Sequence, residues 1–63
     1  MKLTATIENW HIVWGTVVGE IYGDTKGRFK DGTPIRTSTI VTITPDEEVI
    51  TRNSTYKLGK KAE

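Results

Sequence analysis

Along residues 2–8, apolar and polar side chains alternate strictly. Leu3, Ala5 and Ile7 fall on one side, Lys2, Thr4, Thr6 and Glu8 on the other. Successive side chains leave a strand on opposite faces, so a period of two predicts a half-buried β-strand. Asn9 interrupts the alternation and marks a bend or bulge. Residues 10–22 follow with two largely apolar faces. Trp10, Ile12, Trp14, Thr16 and Val18 share one, and His11, Val13, Val17 and Ile21 share the other. This predicts one central strand, bent at Gly15 and Gly19, since glycine inside a strand marks a bend or a close backbone approach.

Residues 23–34 break the pattern. Gly23, Gly27 and Gly32 are set among Asp24, Lys26, Arg28, Lys30 and Asp31, around Phe29 and before Pro34. Asp31-Gly32 is a strong turn signal, because glycine takes positive φ without steric cost. The stretch reads as the longest loop, and long loops in compact domains are usually functional or mobile. Residues 35–44 and 49–58 are again strand-like. A loop centred on Asp46-Glu47 would place Ile43 opposite Ile50, Val41 opposite Arg52, Thr37 opposite Tyr56 and Ile35 opposite Leu58. Arg52 then points with the apolar set, unless it is paired across the sheet or a bulge turns it away. A slip of one residue would reverse every assignment. The charged residues 59–63 are expected to fray.

Composition strengthens the strand reading. Threonine, isoleucine and valine make up 23 of the 63 residues, whereas alanine, leucine and methionine supply five. β-Branched side chains lose rotamer freedom in helices and pack well on pleated surfaces. The expected fold is all-β, a single domain over residues 1–63. It is a four-stranded antiparallel meander curled into a small open barrel of the SH3 or OB kind. Curling keeps its apolar face dry without a covering helix. Thr44-Pro45 with Glu47 imitates a helix start, which allows at most one short helical turn near 45–48.

The candidate chemistry is sparse. There is no cysteine and one histidine, His11, which leaves no disulfide, no thiolate zinc site and no histidine cluster. His11 has no acid beside it in sequence and reads as a sheet-surface or half-buried residue. The glycines and Lys26 of the long loop lack phosphate-loop order. No catalytic residue, metal ligand or cofactor is expected, and a chain this short has little room for a concave pocket. No apolar run reaches the roughly 18 residues of a membrane span. The first residues carry no signal-like apolar stretch, so the expectation is a cytoplasmic protein without membrane contact. The triplet Asn53-Ser54-Thr55 would then be idle as a glycan site.

Binding remains. A formal net charge of +1 argues against a dedicated polyanion binder. Even so, Lys26, Arg28 and Lys30 surround Phe29, and Arg36, Arg52, Asn53, Tyr56 and Lys57 extend this set along neighbouring strands. These nine are the candidate binding residues. With the aromatic faces of Trp10, Trp14 and Tyr22 they allow single-stranded nucleic acid as a ligand. A protein partner is the primary expectation, because five aromatics are plentiful for so small a core and aromatics with arginine dominate interface hot spots. Trp10 and Trp14, on one predicted face, otherwise read as core. Exposed strand edges also allow a homodimer.

Three clusters carry a resemblance. They are Trp14-Gly15-Thr16-Val17, the stretch from Gly27-Arg28-Phe29-Lys30-Asp31-Gly32 through Thr33-Pro34-Ile35-Arg36-Thr37-Ser38-Thr39-Ile40, and Thr51-Arg52-Asn53-Ser54-Thr55-Tyr56-Lys57-Leu58-Gly59. Together they resemble short proteins of tailed bacteriophages and prophages. The resemblance implies expression in a bacterial cytoplasm and an accessory role that engages a host protein. It transfers no catalytic residue.

Overall fold

The computed structural model describes residues 3–62. The all-β expectation holds, but the four-stranded antiparallel meander does not. Six strands form one sheet: β1 (Ala5–Val13), β2 (Thr16–Tyr22), β3 (Thr33–Arg36), β4 (Ile40–Ile43), β5 (Glu48–Thr51) and β6 (Thr55–Leu58). Their order across the sheet is β3-β2-β1-β6-β5-β4. Two antiparallel three-stranded meanders, β1 to β3 and β4 to β6, meet along a parallel β1–β6 pair.

Turns absent from the sequence reading account for the extra strands. Residues 10–22 are not one bent strand. Trp14 and Gly15 both take positive φ, 49° and 74°, and Val13 pairs with Thr16 across them. Two central residues with φ > 0 match the right-handed twist of the flanking strands and close a tight hairpin. Residues 49–58 turn back after Thr51. The Thr51 hydroxyl donates to the Ser54 carbonyl and accepts the Ser54 N–H, which folds the chain at Arg52-Asn53. Arg52 therefore sits exposed in a turn and not among apolar partners.

The β4–β5 register is slipped by one from the expected one. Ile43 faces Val49 and Thr42 faces Ile50. Glu47 takes φ 60°, its N–H donates to the Thr44 carbonyl, and the Thr44 N–H donates to the Glu48 carbonyl. This makes a three-residue connection whose last residue is left-handed, with no helical turn. A further irregularity at Val41 shifts the pairing so that Ile40 faces Thr51.

The edge strands β3 and β4 are consecutive in the chain, joined by residues 37–39. Three residues span at most about 11 Å. A flat six-stranded sheet would hold its edges about 24 Å apart at ordinary strand spacing. The sheet is therefore strongly curled. Hydrogen bonds fix the linker in place. Thr37 N–H donates to the Val17 carbonyl, and the buried Thr37 hydroxyl accepts the Val17 N–H at 3.0 Å. Ile40 N–H donates to the Gly15 carbonyl at 2.8 Å, and Arg52 N–H to the Thr39 carbonyl at 3.1 Å.

Inside the curl lies one small core. Ala5, Ile7, Val17, Ile21, Val49, Tyr56 and Leu58 are buried, with Trp10, Ile35 and Ile40 packed against them. Each large aliphatic among these contributes about 1.5–3 kcal/mol relative to exposure. Asn9 interrupts β1 as a bulge, with φ 50°, and Asn9 and Trp10 together oppose Gly19. A methyl group at Gly19 would lie 2.6 Å from Ile7 Cγ2 and 2.8 Å from the Glu8 carbonyl oxygen, so only glycine fits there.

Residues 59–62, expected to fray, are hydrogen-bonded to β1. Gly59 N–H donates to the Ile7 carbonyl, and Ala62 N–H donates to the Trp10 carbonyl. The Trp10 indole N–H donates to the Gly59 carbonyl at 3.0 Å. Lys2 and Glu63, expected in the first strand and the tail, lie outside the described residues with Met1. Among the described residues, no helix is long and apolar enough to cross a membrane.

Candidate binding surface

The long loop between β2 and β3 holds Lys26, Arg28, Phe29 and Lys30, all exposed. It is closed on itself around Asp24. That carboxylate is 1% exposed and accepts the N–H groups of Lys26, Arg28 and Phe29 at 3.0, 3.0 and 3.2 Å. Burial alone would raise the Asp24 pKa. The three N–H donors and the Arg28 guanidinium outweigh it and hold the pKa below the usual carboxylate value. Arg28 Nε lies 3.8 Å from the same carboxylate, and its guanidinium stands 5.4 Å over the Phe29 ring. Lys26 Nζ donates to Ser54 Oγ at 3.0 Å. Gly23 N–H donates to Asp31 Oδ1, and Thr25 is tied to the Thr4 carbonyl through both N–H and hydroxyl. Of the three loop cations, Arg28 is thus paired within the loop and Lys26 is held by Ser54.

The other expected binding residues divide. Lys57 is half-buried and donates to the Asp46 carbonyl at 2.6 Å. Tyr56 is 6% exposed and belongs to the core, facing Ala5 and Val49 across the sheet, so it offers no binding face. Asn53 joins Lys26 along a shallow groove of about 430 Å³ with Leu3, Thr4, Thr25 and Ser54. Arg36 and Arg52 are exposed. Neither guanidinium forms an ion pair or hydrogen bond with another described residue, since the ion pair seen among these is Arg28–Asp24.

The aromatic side chains also divide. Trp10 is half-buried against the core, as one of the two expectations for it had it, and Lys61 Nζ stands 5.7 Å over its ring. Tyr22 donates to Glu20 at 3.3 Å. Its phenol is pushed above the ordinary value, first by the Glu20 charge, then by burial, the hydrogen bond to Glu20, and the charges of Glu8 and Asp31. Tyr22 therefore lies in an acidic corner that repels phosphate. Trp14 differs from all of these. It is 96% exposed, at the tip of the β1–β2 hairpin, in a left-handed conformation. L-residues with a Cβ pay about 1–2 kcal/mol for that backbone, and asparagine or glycine is the residue such a turn favours.

The surroundings of Trp14 were not assembled by sequence reasoning. The Gly15–Ile40 hydrogen bond lays the hairpin tip beside the start of β4, where Val41 is 64% exposed. Arg36 immediately precedes the 37–39 linker, and Arg52 is hydrogen-bonded to its last residue. Trp14, Val41, Arg36 and Arg52 are thus carried by backbone segments that converge on one linker. Arg36 and Arg52 were among the binding residues expected from sequence. Nothing in the sequence signalled that the hairpin tip would join them. No protein-family model, no curated protein and no solved structure matches the chain.

Proposed function

We propose that this protein is a non-enzymatic binding module that engages a host protein through the Trp14 hairpin tip. The observation that carries the reading is a tryptophan almost fully in solvent on a backbone conformation that disfavours it. Folding gains nothing from that placement, whereas a large, rigid, amphipathic ring is the commonest anchor of protein interfaces. Strained residues that persist cluster at functional sites. The scaffold is a small barrel of the SH3 or OB kind, a reading supported by the short linker between the sheet edges. The setting is the one the bacteriophage resemblance implies, an accessory protein in a bacterial cytoplasm.

Nucleic acid is the weaker reading. Base stacking needs accessible rings in series. Tyr56 is core, Trp10 is half-buried, Tyr22 faces carboxylates and one face of Phe29 carries the Arg28 guanidinium. The test is capture from bacterial lysate, with and without nuclease, on immobilised wild-type protein and Trp14→Asn. The expected result is saturable, nuclease-resistant protein capture that Trp14→Asn abolishes. Capture unchanged by the substitution, or lost to nuclease, refutes the proposal.

A further inference from the structure

We infer that the partner offers an acidic segment, with carboxylates over Arg36 and Arg52 and an apolar side chain against Trp14. The inference rests on the binding reading above and adds the chemistry of what is bound. Three observations lead to it. Three of the four cations of the long loop and of β6 are already engaged, Arg28 by Asp24, Lys26 by Ser54 and Lys57 by the Asp46 carbonyl, Lys30 being the exception. Arg36 and Arg52 are not, although both are exposed. And both flank the linker on which the Trp14 turn rests.

Charge placement supports an acidic partner. Asp46, Glu47 and Glu48 lie at the start of β5, and Arg52 follows its end, so strand length separates them by about 13 Å. Glu20, the nearest acid along β2 to the Val18–Arg36 pair, is occupied by Asn9 Nδ2 and the Tyr22 hydroxyl. The guanidinium fork matches carboxylate geometry with two parallel N–H···O bonds, which a lysine cannot offer. On the outer face Arg36 sits across Val18 from His11, so one apolar residue lies between two cation-capable side chains. Trp14 and Val41 supply an apolar contact at the rim's other side. Alternating apolar and acidic positions in a partner segment would satisfy both at once. Such complementarity sets specificity and on-rate more than raw affinity.

The experiment is a titration of isotope-labelled protein by nuclear magnetic resonance. The probe is a short peptide with a central leucine-phenylalanine pair flanked on both sides by aspartates and glutamates. A peptide with lysines in place of the acids and a single-stranded oligothymidine are the comparison probes. The acidic peptide is expected to shift the Trp14 indole signal and the Arg36 and Arg52 signals saturably, leaving the Trp10 indole in place. Binding should weaken as salt rises, because exposed charges are screened. The double substitution Arg36→Glu with Arg52→Glu should weaken it about tenfold. Both side chains are exposed, and the Arg52 contact to Thr39 is through backbone, so this variant keeps its fold. Equal binding of the lysine peptide, tighter binding of oligothymidine at the same signals, shifts confined to the long loop, or no saturable shift would each overturn the inference. If the acidic peptide fails while lysate capture still depends on Trp14, the acidity is wrong and the binding reading stands. If capture does not depend on Trp14 either, both fall.

Discussion

The long β2–β3 loop and the Trp14-Gly15 turn differ in how each uses its residues. The loop is long, charged and glycine-rich, the usual profile of a functional segment. Yet its central carboxylate gathers three N–H groups and an arginine, and the arginine lies over one face of the aromatic ring. The turn has two central residues and no charge. It holds a tryptophan in solvent on a left-handed backbone. A loop whose polar groups satisfy one another is a structural element. The turn instead keeps, in solvent, a residue that its backbone conformation disfavours.

Substitutions can break this contrast. The largest effect is expected from Ile21→Ala, which removes a fully buried side chain from the one core, at the end of β2 where the Gly32 N–H of the loop donates to the Ile21 carbonyl. A loss of about 2–5 kcal/mol is expected by denaturant titration, enough to unfold much of so small a domain. If the loop stayed ordered while the turn melted, the two regions would not share one core. Next comes Thr37→Val. It leaves the Val17 N–H without its side-chain acceptor and should cost about 1–3 kcal/mol. Its chemical-shift changes should concentrate at the rim and spare the loop. Shifts centred on the loop would contradict the separation.

Smaller effects sharpen the contrast. Trp14→Asn should stabilise by about 1 kcal/mol by relieving the turn, while abolishing partner capture. A destabilised variant would mean that Trp14 serves folding. Glu47→Gly is the companion, because Glu47 has φ 60° but carries no exposed ring. It should gain about 0.5–1 kcal/mol and leave capture unchanged. Asp24→Asn should barely move global stability but should open the loop to protease. The wild-type Asp24 contribution follows from its lowered pKa. It is present in full above the unfolded value near pH 4 and is lost as pH falls through the lower folded-state value. Loop signals that already broaden at neutral pH would refute this account.

The sequence made the β-rich character legible, because threonine, valine and isoleucine leave little room for helix. The alternation of 2–8 located only the Ala5–Glu8 part of β1, which runs on to Val13, and Asn9 marked its bulge. The hairpin at Trp14-Gly15 was not legible. Turn rules look for asparagine, aspartate or glycine at that first position, and a tryptophan there reads as continuing strand. Missing it hid the β1–β2 pairing, and missing the turn at Arg52-Asn53 hid the second meander and the parallel seam. The register failed for a related reason: Glu47 in a left-handed conformation lengthens the connection by one residue without a glycine to announce it. Of the expected binding residues, Lys30, Arg36 and Arg52 have no side-chain partner among the described residues, whereas Tyr56 was expected to bind as an aromatic although the expected register had already set it with apolar side chains. A long-range linker contact, such as Ile40 with Gly15, has no local sequence signal at all.

The parallel seam between β1 and β6 bears on how the chain comes off the ribosome. Trp10 and Glu8 find their partners at Gly59 and Lys60, 49 and 52 residues further on. Until those residues have been synthesised, β1 has one neighbour only and half of the core has nothing to close against. Contacts of such separation slow folding, because loop closure comes before the reward of pairing. Nascent chains paused short of β6 should therefore be protease-sensitive throughout, and protection should arise in a single step once that strand clears the exit tunnel.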